Sequence, residues 1–161
     1  MEHLKERRWV TGGGDEITFE QIVEQVAAHS EKNGTISVGT DSFTRKGICY
    51  FATSICLCFA DDQMGGRFFV SKSKIKASRF KNVIQRITVE VERSVHMGLL
   101  LLSHCPQVSI ELHLDVSGAG KGTKTSRFSD SLMGYAKGSG FDCKIKPDAY
   151  AATSVANKYS K

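Results

Sequence analysis

Four acidic residues stand where this chain's chemistry would have to be done: Asp41, Glu90, Asp115 and Asp148. Each falls where a strand ends or where a helix begins or packs, in the order strand, long helix, strand, short helix. Carboxylates drawn together by a sheet repel one another and resist ionisation unless divalent cations share their charge. A paired-metal carboxylate site of that kind is a common way of hydrolysing phosphodiester bonds.

Hydrophobic periodicity predicts the elements that must position these acids. A first helix runs over residues 18–30, with Phe19, Ile22, Val23, Val26 and Ala27 at helical spacing and Thr18 and Gln21 as a capping box. Strands follow over 35–43, 48–60 and 67–76, joined by turns short enough for an antiparallel meander. Lys72, Lys74 and Lys76 give the third strand the look of an exposed edge, and of a possible homodimer contact. A long helix is expected from Ser78 to about Ser103, then a strand over 108–116. A helix beginning at Ser126 or Ser129, a strand over 141–146 and a final helix opened by Pro147 complete the order. Strands reached by helical crossovers lie parallel to the first.

In that arrangement Asp41 and Asp115 sit near the carboxyl ends of two parallel strands, about 4.8 Å apart if these are neighbours. Their shared parity relative to the apolar positions puts them on the same side. For the helix, Glu90 borders the buried stripe, whereas Glu92 lies with Gln85, Thr88 and His96 on a solvated face; Glu90 is the choice. Asp148 is expected in the first turn of the last helix, where exposed N–H groups favour a carboxylate.

The chain has 161 residues, enough for one domain with a real core, and a net charge of +5 from 22 Lys and Arg against 17 Asp and Glu. A basic body around an acidic pocket suits a polyanion held near metal ions, although a high isoelectric point alone is commonplace. Lys121, Lys124 and Arg127, after the fourth strand, offer contacts to a phosphate backbone, or else form a solvated loop. Five cysteines without C-x-x-C spacing point to unpaired thiols and a reducing, cytoplasmic setting. No apolar run is long enough to span a membrane. Residues 1–16, with a basic head and three consecutive glycines, read as a flexible lead-in. The run from Gly118 to Thr125 approximates a phosphate-binding loop, but Thr123 stands where glycine is needed and too little sheet follows it for a nucleotidase.

The segments VGTDS (38–42), QRITVEVERS (85–94), LHLDVS (112–117) and GSGFDCKIKPDAYAATSVANKYSK (138–161) resemble the YkuK-type family of ribonuclease H-like nucleases. The resemblance implies a ribonuclease H-like α/β fold over residues 17–161. Its sheet would be five-stranded, three antiparallel strands followed by two parallel ones, with helices on both faces. It also implies metal-dependent hydrolysis of nucleic acid (RNA, DNA or hybrid). Asp41, Glu90, Asp115 and Asp148 would hold two Mg²⁺ or Mn²⁺ ions, one activating water and the other stabilising the leaving oxygen. Phe43 departs from the family's pattern, in which that position is usually polar. The alternative is a nucleic-acid-binding or assembly module that keeps the acidic pocket without turnover.

Overall fold

The computed structural model describes residues 7–61, 65–118, 120, 122 and 126–161. Its centre is the expected meander: β3 (Thr35–Arg45), β4 (Ile48–Cys58) and β5 (Arg67–Lys76), paired antiparallel throughout. Two short strands, β6 (Ile110–His113) and β7 (Asp142–Lys144), add on parallel to β3.

Among the described residues the sheet has seven strands rather than five, in the order β2 (Glu16–Ile17), β1 (Trp9–Thr11), β5, β4, β3, β6, β7. The two further strands, β1 and β2, come from the segment expected to be a flexible lead-in. The glycine run is a hairpin turn. The Thr11 N–H donates to the Asp15 carbonyl at 2.8 Å, and Gly14 has φ +90°, a value that favours glycine. β1 pairs with Phe69–Ser71 of β5, so the strand expected to be an open edge is covered along that stretch. Trp9 is buried at 1% exposure and belongs to the main core.

Parity divides the sheet into two faces. Ile36 and Val38 of β3, with Ile55 and Leu57 opposite them, pack against helices α1 (Phe19–Glu31), α2 (Val83–His104) and α3 (Ser129–Gly138) in one hydrophobic cluster. The Thr18–Gln21 capping box forms as expected. α2 starts five residues later than Ser78, because Asn82 accepts from the Gln85 N–H and a single 3-10 turn occupies Ala77–Arg79. Leu99, late on α2, is exposed.

The other face carries the C-terminal helix, a π-helical stretch Ala151–Ala156 continuing into α4 (Asn157–Ser160). It lies directly on β3 at Gly39, where a Cβ would come within 2.5 Å of the Ala152 nitrogen. Three polar contacts seat it. Ser54 Oγ donates to the Ala151 carbonyl at 2.7 Å, the Ala151 N–H donates to His113 Nδ1 at 3.0 Å, and Ser37 Oγ meets the Tyr150 hydroxyl at 2.8 Å. With Nδ1 accepting, His113 Nε2 is the protonated nitrogen, and it donates to Glu111 Oε1 at 2.7 Å. Burial lowers the pKa of His113, in keeping with a neutral ring that positions a helix.

Trp9→Ala should lower the unfolding free energy by roughly 3–5 kcal/mol, the usual cost of emptying a buried aromatic site. Denaturant titration checks this; a change under about 0.5 kcal/mol would mean that β1 is not integral to the core.

Candidate metal centre

The last paired residues of the parallel strands are Gly39 and His113, and continuing that register by two residues sets Asp115 beside Asp41. Both aspartates have the parity of Gly39 and so share the face on which the C-terminal helix lies. Glu90 arrives from α2, which packs on the opposite face, and reaches the end of β3 through Ser42. Ligand oxygens of Asp41, Glu90 and Asp115 all lie within 4.8 Å of one another. Asp41 and Glu90 are buried, at 7% and 4% exposure, and Asp115 is half-buried.

Each carboxylate has a different neighbour. Ser160 Oγ donates to Asp41 Oδ2 at 2.8 Å, tying the end of α4 to the end of β3. Ser42 Oγ donates to Glu90 Oε1 in a short contact, while Arg86 donates to the Ser42 carbonyl at 2.9 Å and to its hydroxyl at 2.7 Å. The Arg86 guanidinium itself stays 3.9 Å from Glu90. Lys146 Nζ stands 2.9 Å from Asp115 Oδ1, yet among the described residues this buried oxygen has no hydrogen-bond donor of good geometry. Behind the acids, Ser94 Oγ donates to Thr40 Oγ1 at 3.0 Å, holding α2 to β3.

Burial and crowding together raise the proton affinity of Asp41 and Glu90. Burial, followed by the hydrogen bond that the protonated acid donates to Asp115 and by charge repulsion from Asp115, lifts Asp41 to about 6 against the lowering effect of Ser160. Burial is also the largest cause at Glu90, which rises to about 8; repulsion by Asp41 and Asp115 adds to it, while Ser42 and Arg86 oppose it. Three oxygen donors in this state fit a hard divalent cation such as Mg²⁺ or Mn²⁺, with Asp115 Oδ1 as a ready ligand.

Asp148 is not brought into this group. The final helix starts at Ala151 rather than just after Pro147, so Asp148 lies exposed in the preceding turn, its N–H donating to the Ile145 carbonyl at 2.9 Å. The pocket is completed instead by Asn157, Lys161, Lys146, Arg86, Ser42 and Ile87. Ser160, Asn157 and Lys146 were missed as site residues; the dense KYSK ending was the available signal for a helix end folded back onto a strand. Lys121 and Lys124 lie outside the described residues. Arg127 is exposed on a short 3-10 helix, Ser126–Phe128, its guanidinium 5.0 Å above the Phe128 ring. Among the described residues, all five cysteines are free thiols, and no helix is long and apolar enough to cross a membrane.

A family model described as Ribonuclease H-like matches residues 17–161, and the chain belongs to that family. It is similar to "Uncharacterized protein YkuK" of Bacillus subtilis (strain 168), at 26% identity over 165 residues. That similarity covers 91% of this chain and 92% of the relative. No solved structure matches it.

Because Asp41 and Glu90 are lifted above their ordinary values of 3.8 and 4.5, the folded chain binds more protons than the unfolded chain between those values and about 8. Stability held by the protonated cluster is therefore full on the acid side and lost as pH rises through about 6 and then about 8. In EDTA, melting temperature should fall across this window, and Glu90→Gln should flatten the upper part of the fall. An unchanged slope in that variant would exclude Glu90 as its source.

Proposed function

We propose that this chain is a metal-dependent nuclease, hydrolysing phosphodiester bonds of nucleic acid with Asp41, Glu90 and Asp115 as its metal ligands. The observation that carries this reading is the convergence of three carboxylates from three separate elements to within 4.8 Å, at a buried sheet end in a ribonuclease H-like chain. A bound cation would supply Lewis-acid stabilisation of the phosphate and a more acidic water. The two-ion scheme belongs to this proposal, and in it Asn157, which lines the pocket, supplies a neutral oxygen donor at the rim where Asp148 does not.

The chain's own residues supply the rest. Ser160 and Ser42 hold Asp41 and Glu90 in fixed orientations, so these two ligands are pre-organised for a cation. Lys146, which leans on Asp115, becomes free to meet a phosphate oxygen once that carboxylate turns to a cation. Arg86 stays engaged with Ser42 and offsets part of the charge at Glu90. Arg127 offers a phosphate contact away from the acids.

A second reading, a nucleic-acid-binding or assembly module without turnover, is favoured by one feature: Lys146 and Arg86 already stand beside the acids they would neutralise. Two measurements separate the readings. Mn²⁺ should raise the melting temperature of the wild type, and Asp41→Asn should lose that shift; equal shifts in both proteins remove the metal site. Across a panel of RNA, DNA, hybrid and junction substrates with Mg²⁺ or Mn²⁺, at least one should be cleaved. Asp115→Asn should reduce that cleavage by more than about a hundredfold, since loss of mere outer-shell partners already costs 10–100-fold. Binding without cleavage over the whole panel would favour the module.

A further inference from the structure

Beyond the acids on the same sheet face lies a cavity of about 510 Å³, lined by Phe43, Arg45, Lys46, Tyr50, Lys72 and the chain's last residues Tyr159–Lys161. Four of these side chains are cationic and none is acidic. Phe43 and Tyr50 are directly opposed across β3 and β4, and they remain 37% and 38% exposed. Aromatic rings left open on a strand pair, inside a ring of cations, offer two surfaces at once: flat apolar faces and anion partners. Lys72 lies 5.6 Å over the Tyr159 ring, which holds its ammonium at the cavity wall.

The cavity continues into the acidic pocket. Ser160 lines the former and donates to Asp41, and Lys161 lines both. Asp41, Phe43 and Arg45 have one parity on β3, so the rings begin roughly 7 Å along the strand from the acid. We propose that this groove is the substrate-strand subsite, and that it takes single-stranded nucleic acid. Unpaired bases stack on Phe43 and Tyr50, while Arg45, Lys46 and Lys72 hold the backbone that leads to the acids. The ring faces select against duplex, because a base inside a duplex has both faces covered by its stacked neighbours. This deepens the nuclease reading and rests on it for the position of the scissile phosphate.

The test is fluorescence anisotropy in EDTA, where no cleavage occurs, with labelled oligouridylate and oligothymidylate and blunt duplexes of matching length. Single strands should bind more tightly than duplexes, the ribo and deoxy arms revealing any use of the 2′-hydroxyl. Phe43→Ala and Tyr50→Ala should each weaken single-strand binding about tenfold, the scale of one lost base stack, and leave duplex binding nearly unchanged. Lys72→Ala should weaken binding and lessen its salt dependence. As a direct probe, Phe43→Trp places an exposed indole in a chain whose single native tryptophan is buried. Its fluorescence should be quenched by single strands and not by inorganic polyphosphate.

Duplex binding as tight as single-strand binding would overturn the subsite. So would normal binding by both alanine variants together with an unquenched Phe43→Trp protein. The nuclease reading fails separately: groove-dependent binding with no cleavage sinks that reading alone, and cleavage indifferent to Phe43→Ala sinks the subsite alone.

Discussion

Mutual repulsion among Asp41, Glu90 and Asp115 is the constraint around which the rest of the structure is organised. Left in water, three carboxylates would separate; here two strands and a helix hold them together. Burial first, and this opposition in addition, raise the proton affinity of Asp41 and Glu90. Folding sustains it because the elements that bring the acids together are anchored elsewhere, by the apolar cluster beneath α1–α3. A cation bound among them would relieve that repulsion.

The second organising feature is the seat of the C-terminal helix. Gly39 admits its backbone onto β3, and His113, Ser54 and Ser37 then pin its first turn through Ala151 and Tyr150. Once that turn is placed, Asn157 and Ser160 fall at the acidic end of the strand about two helical turns later. A histidine at the sheet face thereby governs the site without touching it. Its neutral form is the one that accepts from the Ala151 N–H, and burial maintains that form.

Much of this was legible in the residues, for reasons that can be located. Asp41 and Asp115 were readable because strand parity is strict and both acids follow apolar alternation into a strand end. Glu90 was separable from Glu92 because only the former borders the buried stripe. The N-terminal hairpin was hidden by its glycines, which serve a turn as readily as a linker; the apolar Trp9-Val10 pair before them and Glu16-Ile17 after them were the signal for strands. Asp148 misled because proline commonly opens a helix, whereas here the helix begins four residues after Pro147, with Tyr150 as its cap. Ser160 could not be found from periodicity, since its partner is 119 residues away and only the three-dimensional path of the last helix joins them.

The odd and even positions of β3 carry different duties, and that separation explains how one strand serves stability and chemistry together. Ile36, Val38, Thr40 and Ser42 face α2, moving from core packing to the hydroxyls that steady α2 and Glu90. Gly39, Asp41, Phe43 and Arg45 face the other way and run from helix seat to acid to aromatic ring to cation. A slip of one residue would exchange the two sets and bury the acid in the apolar layer. The long antiparallel pairing of β3 with β4, unbroken from Thr35–Cys58 to Arg45–Ile48, is what prevents the slip. The order of polarity along the outer set is thus a consequence of register, and the functional axis of the molecule is written in alternate residues of a single strand.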